Sequence, residues 1–296
     1  MPAFTAVDLA RLPPPQAVQQ IDFETIYASM TADLVLLGVD FDAFVESDPV
    51  VAILQLCAYR EMRLRAEQND SARSVMPALA TGGNLDHIAT RYFVQRLVIT
   101  PVDTQAGTPA VMEKDDDLRR RMMLAFEGFS TAGPEGAYIF HALSAHPGVQ
   151  DASATSPVPG QVVVTVLARD GDGTPTAEIL GAVTATLRDE DVRPLTDLVL
   201  VSGPSIISYS ISMTIFTLSG PGAQVVIETA TQRVQTFVAE TRRLGRDITL
   251  SALYAAAHIE GVYRVVIASP AADILCGRNE AANCLGVVVT HGGVNE

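Results

Sequence analysis

Tryptophan is absent from this 296-residue chain, cysteine occurs three times, and aromatic residues amount to only 6%. Cys57, Cys276 and Cys284 are an odd set that does not build a disulfide framework. Cys276 and Cys284 lack C-x-x-C spacing and the second pair that a zinc site needs, so two reduced thiols are expected, with a loop-closing disulfide as the alternative. Basic residues are scarce, with 20 Lys and Arg against 34 Asp and Glu, a formal charge of −14. Phosphate backbones need clustered cations, so nucleic acid is excluded as a partner. No run of about 18 apolar residues spans a bilayer. The N-terminus has no basic start ahead of an apolar stretch, so direct membrane insertion is not expected and the chain should remain in the cytoplasm where it is made. P-loop, G-x-G-x-x-G, H-E-x-x-H and G-x-S-x-G patterns are all missing.

What is present is apolar bulk. Hydrophobic residues make up 48% and charged residues 18%, and mean hydropathy is +0.24. A chain this long divides into two or three domains, and the excess apolar character points to surfaces covered by assembly. The expected class is α+β: a helical N-terminal domain followed by an α/β C-terminal half. The expected boundaries are 1–99 for an N-terminal arm and helical domain, 100–114 for a linker, and 115–204 and 205–296 for two α+β modules.

Helix signals are strongest from Asp115 to Leu143. Leu118, Met122, Ala125, Phe126 and Phe129 recur at helical spacing, with Arg119, Arg120, Arg121 and Glu127 expected opposite. Asp115 to Asp117 suit the positive end of the helix dipole. Ser130-Thr131-Ala132-Gly133-Pro134 ends this helix, and Pro134 suits the start of a second one packed back on the first. Upstream, Pro13, Pro14 and Pro15 forbid a helix and predict an extended arm lying on a neighbour. Ser47-Asp48-Pro49 caps a long helix whose apolar stripe is Val51, Leu54, Ala58 and Met62. Thr100 to Glu113 has no periodicity and reads as the linker.

Downstream, Val149 to Ser153, Gln161 to Ala168 and Leu198 to Val201 read as strands. Ile207, Tyr209, Ile211, Met213 and Ile215 alternate with Ser208, Ser210, Ser212 and Thr214, which predicts a half-buried strand. Its hydroxyl face suits solvent or closure by another subunit. A long helix after Gly222 and a short one through Leu253 then lead to a strand opening at Gly261-Val262. Long helix, short helix, Gly-Val and strand also occur around Gly148-Val149. Residues 115–167 and 222–290 therefore fit an internal repeat of helix-helix-strand-strand units, against the alternative that any packed α+β chain shows such an order.

Chemical candidates weigh out as structure. Asp170-Gly171-Asp172 begins like a calcium loop but has Pro175 at the sixth position and Gly181 at the twelfth. His141 and His146, five apart, splay on a helix. No catalytic, cofactor or metal residues are therefore assigned. The candidate interface residues are Pro13, Pro14, Pro15, Leu54, Met62, Arg119, Arg120, Arg121, Ser210 and Ser212. For the arginines, a solvated helix face is the alternative to docking.

Gly83-Asn84-Leu85-Asp86, Gln95-Arg96, Asp115 to Tyr138, Arg193-Pro194-Leu195-Thr196-Asp197, Leu244-Gly245-Arg246-Asp247 and Gly261-Val262 together resemble, in order, the baseplate J-like family of contractile phage tails. Some relatives look longer where this chain has only Thr100 to Glu113. The resemblance implies a non-enzymatic structural protein of the baseplate wedge, in the virion. It also implies that the protein forms a ring around the central hub or tail-tube end, with other wedge proteins and copies of itself as partners. Two other classes remain open at this point: a hydrolase using Asp170, Asp172 and His141, and a monomeric binding module.

Overall fold

The computed structural model describes residues 15, 18, 19, 21–38, 48–130, 132–220 and 222–294. Pro13, Pro14, Ser47, Thr131 and Pro221 lie outside them. The chain divides into two compact units. Among the described residues, one unit holds everything up to Arg96 together with Lys114–Arg119, and the other holds Leu97–Glu113 and all residues from Arg120 onward.

The first unit is helical. Helix α1 (Phe23–Leu36) starts where the Asp22 carboxylate accepts the Thr25 N–H, and α2 (Pro49–Ser74) starts where Asp48 accepts the Val50 N–H beside Pro49. Both are N-caps that satisfy an orphan donor. Helix α3 (Gly82–Ala89) runs into a 3₁₀ turn, Thr90–Tyr92. Helices α1 and α2 pack together, and Ile26 on the first and Val51, Leu54 and Ala58 on the second are buried. The chain ahead of α1 is tied down by the buried Asn69: its Oδ1 accepts the Gln19 N–H at 2.9 Å and its Nδ2 donates to the Gln19 carbonyl at 2.8 Å.

The second unit begins with a two-stranded hairpin, β1 (Val98–Thr100) and β2 (Val111–Met112), inside the stretch read as a linker. Helices α4 (Asp115–Gly128) and α5 (Glu135–Ala145) lead to β3 (Val149–Val158), β4 (Gln161–Ala168), α6 (Ala177–Leu187) and β5 (Leu198–Ser202). Strands β3, β4 and β5 form one sheet in that order, antiparallel then parallel. Its core joins Val164, Val166 and Val199 to Ile139, Ala142, Leu143 and Val183 from the helices. Each Val, Leu or Ile among them contributes about 1.5–3 kcal/mol by leaving water.

A second three-stranded sheet follows. It is built from β6 (Ser205–Thr217), α7 (Ala223–Thr241), α8 (Leu250–Ala257), β7 (Val262–Ser269) and β8 (Glu280–Val294), in the order β7-β6-β8. Tyr209, Ile211, Met213 and Ile215 alternate inward on β6 and share a core with Ala230, Val234, Leu253 and Ala257. The helix-helix-strand order does recur, and in both sheets the central strand is antiparallel to the strand that follows the helix pair and parallel to the other neighbour. The turns entering those strands also match, with the Val149 N–H on the His146 carbonyl and the Val262 N–H on the Ile259 carbonyl. The chain path differs: β4 follows its helix pair, whereas β6 precedes its own.

The α4–α5 corner forms, with Pro134 as the N-cap of α5 rather than its first residue. Leu124 from α4 joins the core with Tyr138, Ile139 and Leu143, and Gly128 lies so close to Phe140 that a Cβ there would sit 2.3 Å from the ring. The face assignment of α4 needs correction. Leu118, Arg121, Met122, Leu124 and Ala125 are buried, whereas Phe126 and Phe129 are 66% and 59% exposed. At about 100° per residue, Arg121 lies between Leu118 and Leu124 on the circumference. The buried arc is centred on that side, which leaves Phe126 at its margin, and Phe129 lies past the helix end.

Gly133 has φ +70°, and a Cβ there would lie 2.6 Å from the Pro194 ring. Gly133→Ala combines left-handed strain with a clash, so it should destabilise the chain by about 1–3 kcal/mol. A denaturant midpoint unchanged from wild type would contradict this.

Candidate functional site

The polar groups that matter most are not those a surface reading selects. In the α/β unit, the Asp151 side chain at the start of β3 is 4% exposed. Its Oδ1 receives Arg120 Nη2 at 2.6 Å and the Ala152 N–H at 2.8 Å, while Oδ2 receives the Leu244 N–H at 2.9 Å. One carboxylate thus binds α4, its own strand and the segment after α7. Burying a carboxylate is costly unless donors of this kind saturate it.

Six further contacts cross the same seam. Arg278 pairs with Glu135 at the start of α5 and donates to the Ala154 carbonyl at 3.2 Å, while its own carbonyl accepts Ser153 Oγ at 2.8 Å. Gln150 Nε2 donates to the Arg242 carbonyl at 3.1 Å. Arg242 in turn donates to the carbonyls of Arg169 and Gly171 at 3.0 and 2.6 Å. The loop that opened like a calcium site is therefore occupied by a guanidinium, and Asp172 accepts the Thr174 N–H of its own turn. Among the described residues, no group of three or more His, Cys, Asp or Glu is placed to hold a metal.

Two further ion-pair clusters hold their own units, the first buried and the second half-buried. In the α/β unit, Glu113 and Arg121 form a bidentate pair, Nε to Oε1 at 2.8 Å and Nη2 to Oε2 at 2.6 Å, and Oε2 also accepts the Leu97 N–H. In the helical unit, Arg96 bridges Asp86 and Asp115, each at 2.7 Å, and Asp115 accepts the Gly82 N–H. Burial alone would raise the Asp115 pKa, but the Gly82 N–H and Arg96 outweigh it and hold the carboxyl below its usual range.

The expected interface residues fall in several places. Pro13 and Pro14 lie outside the described residues, and the Pro15 carbonyl accepts the Val18 N–H. Leu54 is core and Met62 half-buried; the large apolar residues that α2 leaves exposed are Ile53, Leu56, Tyr59 and Leu64. Each member of the triple arginine has a partner within the chain. Arg119 donates to the Pro77 and Ala80 carbonyls at 2.8 Å, Arg120 serves Asp151, and Arg121 is buried on Glu113. Three consecutive helical positions cannot share one face. Ser210 is exposed and Ser212 half-buried on the outer face of the second sheet.

Residues weighed for chemistry are likewise engaged locally. His141 Nε2 donates to the Gly128 carbonyl at 3.1 Å, closing the end of α4. Tyr138 donates to Asp197 at 2.7 Å, and burial followed by that carboxylate pushes its phenol well up. All three cysteines are free, and burial first, then Asp247 and Glu280, pushes the Cys276 thiol up.

Several of the motifs that carry the family resemblance meet in these clusters. Asp86, Arg96 and Asp115 come from three of them and form one network. Gly133 and Tyr138 meet Pro194 and Asp197, while Leu244 meets Asp151. Three Baseplate J-like domain models match in order: the N-terminal domain at 46–103, the central domain at 130–203 and the C-terminal domain at 209–290. Baseplate protein J of Escherichia phage P2 is 42% identical over 299 residues, covering 98% of this chain and 99% of that protein. The chain belongs to the Baseplate J-like family, a family of structural baseplate proteins. A chain in a six-fold symmetrised cryo-EM structure of the anti-feeding prophage baseplate is 12% identical, with a TM-score of 0.39 over 65% of this chain. The match spans about half, 49%, of that chain.

Removing the Asp151 carboxylate leaves Arg120 and the Leu244 N–H without it. Asp151→Ala should cost about 3–5 kcal/mol in equilibrium unfolding; a loss below about 1 kcal/mol would show that the seam is not held there. His141 gives a pH test. Burial lowers its pKa, and the Gly128 contact only partly opposes that. The folded value lies below the unfolded one, so its contribution is complete above about pH 6.5 and is lost as pH falls below it. His141→Gln should flatten the decline of stability below about pH 6.5 relative to wild type, and parallel profiles would contradict the assignment.

Proposed function

We propose that this chain is a repeating wedge component of a contractile-tail baseplate, forming a ring around the central hub with other wedge proteins and copies of itself. The observation that carries this reading is the 42% identity to Baseplate protein J of Escherichia phage P2 along 98% of the chain. The role is mechanical and non-enzymatic. Copies fold in the host cytoplasm, kept soluble by the −14 charge, and enter the virion on assembly. Residues 115–204 and 205–296 act as two modules of one body, and the exposed apolar residues of α2 are covered when neighbours bind.

The hydrolase reading is the weaker one, because His141 and Asp172 each bind the backbone of their own surroundings. The monomeric binding module leaves the apolar surface on α2 without a purpose.

Particles should be imaged by electron microscopy from a host that makes every tail protein except this one, with and without the chain supplied in trans. Without it, tails should lack organised baseplates, and supplying it should restore them. Complete baseplates in its absence would sink the proposal.

A further inference from the structure

The connection from β7 to β8 carries Arg278, which reaches Glu135, the Ala154 carbonyl and the Ser153 hydroxyl across the seam. Two thiols flank that arginine, Cys276 before it and Cys284 after it. The segment between them folds back on itself. Asp247 accepts the Cys276 N–H at 2.8 Å, the Glu280 N–H returns to the Gly277 carbonyl at 2.9 Å, and the Glu280 carboxylate accepts the Gly277 N–H at 2.7 Å. Past the reversal, the Ala282 N–H donates to the Cys276 sulfur.

Ala282 and Cys284 are alternate residues of β8, so they share a face. Cys276, Ala282 and Cys284 all pack on the core of the second sheet. Tyr209 pairs in register with Cys284. Burial, then the Cys284 and Cys276 thiols beside it, push its phenol up. Alternate strand residues stand about 6.6 Å apart, and a disulfide joins residues whose Cα atoms are about 4.4–6.8 Å apart. The Cys276 sulfur, seated at Ala282, is one such step from Cys284. Leu275, Gly277 and Asn279 of the intervening connection are exposed, which leaves it room to shift.

We propose that Cys276 and Cys284 are a modification site, at which a low-molecular-weight disulfide such as oxidised glutathione converts them to an intrachain disulfide that clamps the loop bearing Arg278. Cys284, whose thiol donates to the Gly286 carbonyl at 3.4 Å in an exposed contact, reacts first. Its thiol gives a proton to water, the thiolate attacks one sulfur of the reagent, and the departing glutathione thiolate takes up a proton. Cys276, held protonated by burial and then by Asp247 and Glu280, follows. It loses its proton, attacks the Cys284 sulfur and expels the second glutathione. The two protein thiols give up two electrons and two protons, and the reagent gains both. The closed ring, Cys276 to Cys284, limits how far Arg278 can travel from Glu135 when the seam opens. A reducing cytoplasm keeps the pair as thiols, so the clamp forms once the chain has left it. That setting rests on the virion reading, whereas the chemistry belongs to the chain alone.

The test incubates the folded full-length chain with oxidised glutathione, alkylates the remaining thiols and reads the tryptic peptides by mass spectrometry. Cys57 is exposed and serves as the internal control, expected to carry glutathione. Cys276 and Cys284 should instead be linked to each other within one chain. Limited trypsin digestion of the native chain should then cut after Arg278 at least about tenfold more slowly in the oxidised form than in the reduced one. Cys276→Ser and Cys284→Ser should each abolish that difference, with the alanine variants as replacements should a serine variant fail to fold. A chain whose Cys57 carries glutathione while Cys276 and Cys284 are both alkylated would overturn the disulfide, as would linkage that appears only in denaturant. Linkage without slower cleavage would overturn the clamp. Any of these failures leaves the baseplate role untouched, since imaging of particles tests that separately.

Discussion

The α/β unit depends on the buried carboxylate of Asp151. Each sheet closes an apolar core of its own, Val164 and Leu143 in one and Ile215 and Leu253 in the other. Apolar contact is non-directional, so it does not by itself fix how two such cores are set against each other. Asp151 does, because its donors come from α4, from its own strand and from the segment that follows α7, and each has a defined direction. The Arg278–Glu135 pair and the Arg242 contacts with Arg169 and Gly171 repeat the principle along the same seam. The two modules have main cores of their own and are joined by hydrogen bonds to charged groups and by one small apolar cluster, in which Leu167 of β4 packs with Leu244, Ala281 and Ile206.

Arg119, Arg120 and Arg121 show how one helix distributes such bonds. Successive residues on a helix turn by about 100°, so the run reaches three unrelated surroundings: the carbonyls of Pro77 and Ala80, the Asp151 carboxylate and the Glu113 carboxylate. Arginine suits all three, since its planar fork offers several donors in fixed directions and keeps its charge when buried. The short segment from Leu97 to Glu113 is anchored by the same means, because Glu113 both accepts from Arg121 and exchanges backbone and side-chain bonds with Leu97. That anchoring explains how an isolated two-stranded hairpin, marginal alone, is kept in place at its base.

Local signals in the sequence were read correctly where the cause is local. Asp48 with Pro49 starts α2, the corner at Gly133-Pro134 separates α4 from α5, and the alternation from Ile207 to Ile215 makes β6. Pairings across long separations were not legible. Arg120 and Asp151 are 31 residues apart and Arg278 and Glu135 are 143 apart, and nothing in either neighbourhood marks its partner. Strand β8 escaped for another reason: Gly286, Gly292 and Gly293 interrupt it, and its valines run consecutively instead of alternating. Helix α1 escaped because Ile26 is its only buried residue, which leaves no apolar stripe to detect. The family resemblance pointed to the right residues without saying why, and the structure supplies the reason in the contacts those motifs share.

The placement of charge bears on where a mechanical part of this kind can yield. Opening the seam would strand Asp151 and Arg120 in a poorly solvated space, at several kcal/mol for the broken pair alone, and Glu135 and Arg278 would follow. A rearranging assembly conserves such joints and moves at surfaces whose contacts can be exchanged at little cost. The neutral or apolar surfaces of this chain include the exposed leucines of α2 and the hydroxyl face of β6. Charged hydrogen bonds, together with the apolar contact of Leu167 with Leu244 and Ala281, therefore tie the two sheets of the α/β unit to each other.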